Sequence, residues 1–341
     1  MLTNLYLPGQ TESDTVTVIV TDSGVELTGD RAAGGRGRTG RDVVPMTDLL
    51  DNPVAHAALL CFIGVLVAGA PIHLLRLRRL AGLLPSAAFV AAYLFAYEGV
   101  PAFPPLGATA KIFYIAVVAT VLGEAVEHLS DAHLSERGRG RLRFLAALLL
   151  PLAVVAWIGL PRFAHPDAGL AVAAVGLWLG GAAALRRLDT LALRPVAANG
   201  GGLVSAAILT ALAAGFAPVA LAGGSSTSLL LCLAFAGGML AAALWELAMP
   251  LGAFTAASAL GGGTALFAVV ATVTLITRHV DVLALVLLIP MLLAGQVGGT
   301  LLPATRFRGR LRQVTVGAMA AVPLILVLAV VMIRHADAFN P

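Results

Sequence analysis

The sequence predicts an all-α integral membrane protein with about ten transmembrane helices in one bundle. Only 12% of its 341 residues are charged, whereas soluble domains carry about 25%. Mean hydropathy is +0.93, and apolar runs long enough to cross a bilayer recur along the chain. The net charge of +4 does not indicate a nucleic-acid partner, because the arginines lie in short loops between apolar runs. The expected partner is the lipid bilayer.

The first 54 residues differ in composition from the rest and are predicted to form a mostly disordered tail. Within them, TVTVIVT (15–21) alternates polar and β-branched residues and is followed by DSG and VELTG, which indicates a short hairpin. RAAGGRGRTGR (31–41) is rich in glycine and arginine, a composition typical of disorder. The alternative is a translation start at Met46, since the residues after it would form an ordinary lead into the first span.

Residues 55–336 are predicted to form the ten-span domain, with 337–341 as a short C-terminal tail. No charge occurs between Arg194 and Glu246, and that stretch has the length of two crossings of about 20 residues each. AGGSST (222–227) is the predicted turn between them. The expected spans are 57–75, 80–97, 107–127, 144–161, 168–185, the two before Glu246, 253–277, 282–303 and 314–333.

Several predicted spans contain glycine and proline residues in their interior. GGG (261–263) lies in the eighth span, and Pro290 and Gly298 lie in the ninth. Such residues usually allow helices to pack closely. They also mark discontinuous helices in transporters, so spans 8 and 9 are candidates for interrupted helices. The GxxxG pairs Gly176/Gly180 and Gly295/Gly299 are candidate oligomerisation faces.

The distribution of basic residues predicts the orientation. Alternate loops contain fourteen arginines, namely Arg76, Arg78, Arg79, Arg137, Arg139, Arg141, Arg143, Arg186, Arg187, Arg194, Arg306, Arg308, Arg310 and Arg312. The opposite loops and the C-terminus contain four basic residues, namely Lys111, Arg162, Arg278 and Arg334. Because cytoplasmic loops are enriched in basic residues, both termini are predicted on the non-cytoplasmic side. A single lysine among 22 basic residues, with abundant alanine, favours the inner membrane of a GC-rich bacterium.

A cluster of polar residues lies at the C-terminal end of the third span. Glu124, Glu127, His128 and Asp131 share one helix face, and His133 follows. Lys111 and Glu124 are separated by twelve uncharged residues, about 18 Å of helix against a core of about 30 Å. Glu124 is therefore predicted to lie inside the membrane boundary. Glu127, His128, Asp131 and His133 are weak metal-ligand candidates, and a solvated helix end is the alternative.

Glu246 is the second candidate site residue. It is the only charged residue between Pro195 and Thr277, and intramembrane ionisable residues are typical of substrate and ion pathways. Nothing nearby in sequence neutralises it, so its partner must come from another span, or the carboxyl is protonated. Together with Glu124 and Gln296 it defines a hypothetical polar path, whereas an interfacial glutamate anchored beside Trp245 is the alternative.

The loop between the second and third spans is the third candidate. Glu98, Lys111, Tyr97 and Tyr114 surround a segment stiffened by three prolines. This arrangement suggests an outer mouth for a solute, or alternatively an aromatic belt with one ion pair.

The function that fits these features is a membrane permease for an unidentified small solute. A non-catalytic membrane subunit or scaffold is the alternative, and an enzyme acting at the cytoplasmic face through residues 124–133 is the least supported. The sequence contains no motif of a nucleophile, metal triad or phosphate-binding loop. No catalytic residue, cofactor or nucleic-acid partner is therefore expected.

Overall fold

The computed structural model describes residues 16–21, 24–29, 53–97, 99–165, 167–192, 201–249, 251, 254–277, 280–301, 314–315 and 318–335. For residues 16–21, 24–29, 131, 133 and 294–301 it describes only the backbone. The chain divides into two compact units, Met1–Pro45 and Met46–Pro341. In the first unit, β1 (Val16–Thr21) pairs antiparallel with β2 (Gly24–Gly29), with Val16 opposite Gly29 and Thr21 opposite Gly24. The tail and domain boundaries proposed from the sequence remain predictions.

The described part of the second unit forms ten helices packed in one bundle, as the sequence predicts. They are α1 Pro53–Leu74, α2 Arg78–Tyr97, α3 Ala108–His133, α4 Glu136–Gly159, α5 Ala168–Ala192, α6 Gly201–Ala222, α7 Ser226–Ala248, α8 Ala256–Thr272, α9 Val282–Leu301 and α10 Ala321–Arg334. The first eight are long and apolar enough to cross a membrane; α10 and the described side-chain part of α9 are shorter apolar helices. The chain is a polytopic membrane protein.

The expected interruptions at the glycines of α8 and at Pro290 of α9 are wrong. Helix α8 runs through Gly261–Gly263, and α9 is helical from Val282 to Leu301. The glycines serve close packing instead, because a Cβ at Gly261 would lie 2.9 Å from the Thr120 hydroxyl of α3. The irregularity in α8 lies further on, where Val273–Thr277 forms a π-helical turn.

Contacts between neighbours show how the helix ends are arranged. Helices α1 and α7 run parallel, because Gly237 faces Ala58 and Trp245 faces Gly69. Helices α4 and α5 run antiparallel, because Arg143 meets Asp189 while Trp178 bonds to the Leu148 carbonyl. At the start of α8, the Ser258 hydroxyl contacts the Gly82 carbonyl of α2 and the Ala257 amide contacts Glu127 of α3. The loop after α1, the end of α3, the start of α4 and the end of α5 therefore lie together. We call this the arginine-rich end of the bundle.

Helices α6, α7 and α8 form the centre of the bundle. In the most apolar window, 78% of the residues are buried in both α6 and α8, against 28% in α1 and 22% in α5. This central position matches the nearly charge-free sequence of the three helices. Gly176 and Gly180 of α5 lie outside the packing, since a Cβ at either would meet no described atom within 4 Å. Oligomerisation through these faces stays a prediction.

Side-chain caps begin several helices. The Ser135 hydroxyl accepts from the Gly138 amide, and the Asp167 carboxylate accepts from the Leu170 amide. Thr255 and Ser258 form a capping box at the start of α8. Such caps satisfy amides that the helix itself leaves unpaired, so the short polar loops fix where each span begins.

Candidate functional site

A small cavity lies where α1, α2, α6, α7 and the start of α8 converge. It is lined by His73, Ala81, Leu84, Pro85, Ala206, Ala242, Glu246, Phe254 and Ser258. Its volume is about 20 Å³, which is enough for one water molecule. The cavity therefore accommodates water or a proton carrier but not an organic solute.

Glu246 reaches this cavity from the last turns of α7. Only 7% of the residue is exposed. Its Oε2 lies 2.7 Å from the position a Cβ would take at Gly202, in the first turn of α6. Glycine at that position allows the carboxylate to approach the helix backbone. The N-terminal end of a helix carries a partial positive charge, and the Glu246 carboxylate lies beside that end of α6.

His73 reaches the cavity from the last turn of α1 and is 2% exposed. Its Nδ1 lies 3.1 Å from the Gly69 carbonyl oxygen. Because a carbonyl oxygen only accepts, Nδ1 carries the proton and Nε2 has a free lone pair. Nε2 is buried and has no hydrogen-bond partner among the described residues. The ring nitrogen that remains available is therefore a base.

Trp245 holds the imidazole from one side. The two rings stack with centroids 5.2 Å apart and planes inclined by 21°. The indole Nε1 donates a 2.9 Å hydrogen bond to the Leu66 carbonyl of α1. Adjacent positions of α7 thus place an indole against His73 and a carboxylate in the cavity that His73 lines.

The remaining wall comes from α2 and α8. The Ser258 hydroxyl donates to the Gly82 carbonyl at 2.6 Å and accepts from the Thr255 amide at 3.2 Å. Pro85 has no N–H, so α2 leaves the Ala81 carbonyl without its usual intrahelical donor. Ser258, Pro85 and Ala81 all line the cavity. This wall is uncharged but offers hydrogen-bond acceptors.

The polar cluster of α3 lies beside the start of α8. Glu127 accepts a 3.4 Å hydrogen bond from the Ala257 amide, Glu124 is half-buried and His128 is exposed. None of the three lines the cavity. Within the described part of the chain, no group of three or more His, Cys, Asp or Glu side chains could hold a metal ion. The side chains of Asp131 and His133 lie outside that part, so their metal hypothesis stays untested.

A buried ion pair that the sequence analysis missed lies nearby at the arginine-rich end. Arg143 of α4 contacts Asp189 of α5 at 3.2 Å, and Arg186 contacts the other carboxylate oxygen at the same distance. The side chain of Asp189 is fully buried. The available signal was an acidic residue inside an arginine-rich loop, in LRRLDTLALR (185–194).

The described residues of the outer mouth predicted from the sequence lie at the opposite end of the bundle, and their role as a mouth stays a prediction. Tyr93 and Tyr97 have ring centroids 4.5 Å apart, and the Tyr114 hydroxyl donates to the Pro101 carbonyl at 2.7 Å. Lys111 is buried, and its Nζ donates to the Trp157 carbonyl near the end of α4 at 2.8 Å. A cation suits that helix end. Glu98 lies outside the described residues.

Glu246 and His73 line the same cavity. Glu246 was a candidate from the sequence, whereas His73 was not. His73 precedes the arginines of the first loop in PIHLLRLRR (71–79) and so resembled part of an ordinary basic helix end. The side chain of Gln296 lies outside the described residues, and Glu124 does not line the cavity. No protein-family model, curated protein or solved structure matches this chain.

Proposed function

We propose that this chain is a membrane permease for a small solute, with Glu246 on its transport path. The observation that carries the proposal is a buried carboxylate at a cavity where five helices converge. A charged side chain is costly inside a membrane, by about 2.5–3.5 kcal/mol at the bilayer centre on insertion scales. Retaining one in the central, otherwise uncharged helices favours a role in function over a role in packing.

The proposal takes this structure as a closed state of the permease, because the space at Glu246 has room for about one water molecule. A permease must then open by moving helices against one another. Loops and domains of transporters and enzymes commonly make such closures. In this proposal the arginine-rich end faces the cytoplasm, and Glu124 and Gln296 lie along the path that opens.

A non-catalytic membrane subunit is the second candidate. The observation that favours it is the same volume, because no solute-sized space is found among the described residues at this site. The two candidates differ in whether Glu246 has to titrate. A packing glutamate can be replaced by glutamine without consequence, whereas an ion- or proton-coupling glutamate cannot.

The test uses purified protein in liposomes that contain a pH-sensitive dye. Panels of amino acids, carboxylates, sugars and inorganic cations are added outside, and solute-induced pH change is recorded. We expect at least one solute to drive flux in the wild type, and Glu246→Gln to lower that flux at least tenfold. The matched control is Glu136→Gln, since Glu136 is an exposed residue at the start of α4.

Stability is measured in parallel by thermal melting in detergent. Flux that is equal in the wild type and in Glu246→Gln would remove Glu246 from the path. No flux in any variant across the whole panel would shift the conclusion to the membrane subunit.

A further inference from the structure

We propose that His73 and Glu246 form a proton-binding pair, with the Nε2 of His73 as the site that takes up the proton and Glu246 as its counter-charge. This inference deepens the proposed function, on which it rests for its link to transport, and identifies the coupling ion as H⁺. The binding itself can be measured without any solute.

The first argument is the chemistry left available at the cavity. Nδ1 of His73 is used by the Gly69 carbonyl, so the buried Nε2 is the basic atom. Uptake of one proton converts the neutral imidazole to an imidazolium, and the proton comes from water at the arginine-rich end. No bond other than N–H is formed, and no further reactant is needed.

The second argument is the surroundings of the pair. Of the nine residues that line the cavity, only His73 and Glu246 are ionisable. Helix α6, which packs against α7, and helix α8, whose first turn lines the cavity, contain no charged residue in their described ranges. Arg78 and Arg79 of α2 are exposed, and Glu127 of α3 contacts the α8 backbone. Glu246 is therefore the charged group placed to compensate an imidazolium.

The third argument is the geometry that tolerates both charge states. Both side chains line a cavity that has room for one water molecule. The carboxylate lies beside the N-terminal end of α6, which favours a negative charge there when His73 is neutral. The indole face of Trp245 stabilises the imidazolium when His73 is protonated, since aromatic faces attract cations.

Trp245 also supplies the measurement. An imidazolium in contact with an indole quenches its fluorescence, whereas a neutral imidazole quenches much less. The chain has three tryptophans, so Trp157→Phe with Trp178→Phe leaves Trp245 as the single reporter. We expect its emission in detergent micelles to fall along a one-proton titration curve as the pH is lowered. His73→Gln should abolish the curve, and Glu246→Gln should move its midpoint to lower pH by about one unit or more.

The matched control is His128→Gln, because His128 is an exposed histidine at the same end of the bundle. If the double phenylalanine variant does not fold, the same titration is read as the difference between the protein with all three tryptophans and its His73→Gln variant. A Trp245 signal that is constant between pH 4 and pH 9, or a titration that survives His73→Gln, would overturn the pair.

The outcomes separate this inference from the proposed function. A titration without solute flux would support the pair and reject the permease. Glu246-dependent flux without a titration would support the permease and reject His73 as its proton site.

Discussion

Arg143 and Asp189 form an ion pair between α4 and α5 in which both side chains are buried, with Nη1 and Oδ1 3.2 Å apart. Arg186 supplies a second contact to the same carboxylate from a side chain that is 38% exposed. One acidic residue thus has a buried partner and a solvent-exposed partner at equal distance. The two contacts have the same length but differ in burial, and the buried one joins α4 to α5 whereas the exposed one lies within α5.

We predict that Asp189→Asn destabilises the fold by about 3–5 kcal/mol, because it leaves the buried guanidinium of Arg143 without its counter-charge. Arg186→Gln is the comparison and should cost no more than about 1 kcal/mol, as exposed pairs do. The measurement is the free energy of unfolding in mixed micelles. Equal, small losses for both variants would show that burial of this pair has no energetic consequence.

The contact of α3 with α8 predicts the effect of adding one methyl group. A Cβ at Gly123 would lie 2.8 Å from the Ala257 Cα, which is backbone and cannot rotate away. Gly123→Ala should therefore destabilise by about 1–3 kcal/mol. Gly64→Ala is the matched control, since its Cβ would meet nothing within 4 Å, and it should be neutral or stabilising by up to about 1 kcal/mol. The measurement is the melting temperature of the two variants side by side. An equal change in both would contradict the close contact between Gly123 of α3 and Ala257 of α8.

At the other end of the bundle, Asp281 predicts a pH dependence. Desolvation raises the pKa of Asp281, but hydrogen bonds from the Ala284 and Leu283 amides and from His335, with the charge of Arg334, outweigh it, so the net pKa lies below its ordinary value. The Arg334 contact is 2.9 Å long.

A carboxyl whose pKa is lowered by folding contributes stability above its unfolded pKa, about 4 for aspartate, and loses it as the pH falls through the folded value. Wild type should therefore melt above Asp281→Asn at neutral pH, and the gap should close in acid, below about pH 4. A gap that persists unchanged at the lowest pH at which both proteins fold would contradict this assignment.

The arginine distribution predicts the orientation of the bundle. An enzyme reporter that is active only outside the cytoplasm, fused after Pro341, should be active, and a fluorescent reporter that matures in the cytoplasm should be dark there. Reporters fused after Arg79, in the first turn of α2, should show the reverse pattern. An inactive outer reporter with a bright inner one at Pro341 would reverse the topology.

The fold class follows from composition and spacing because a bilayer imposes a fixed span length on any helix. The turn at 222–227 was predictable for the same reason, and in the structure α6 ends at Ala222 and α7 begins at Ser226. The prediction of an interruption at Gly261–Gly263 was wrong because glycine in a span can either interrupt the helix or allow a neighbouring helix to pack closely. Sequence alone does not tell whether a neighbouring helix, here α3 through Thr120, requires the missing Cβ.

The candidate site was predictable only in part. Glu246 is conspicuous because nothing charged surrounds it in sequence, and in the structure it lines the cavity where five helices converge. His73 was missed because α1 and α7 are distant in sequence, and only their parallel packing places both residues at one cavity. The roles of Glu246, Glu124 and Gln296 in transport remain proposals.

The most direct test of the permease proposal measures access to the cavity from each side of the membrane. Ala242, which lines the cavity, is changed to cysteine after both native cysteines, Cys61 and Cys232, are replaced by alanine. A membrane-impermeant maleimide is added to right-side-out and to inverted vesicles, with Val100→Cys, in the exposed loop before α3, as the control for access from the opposite end. A permease that alternates between two open states predicts labelling of Ala242→Cys in both preparations, whereas Val100→Cys is labelled in one. Labelling of Ala242→Cys from one side only, or from neither, would contradict a transport path through this cavity.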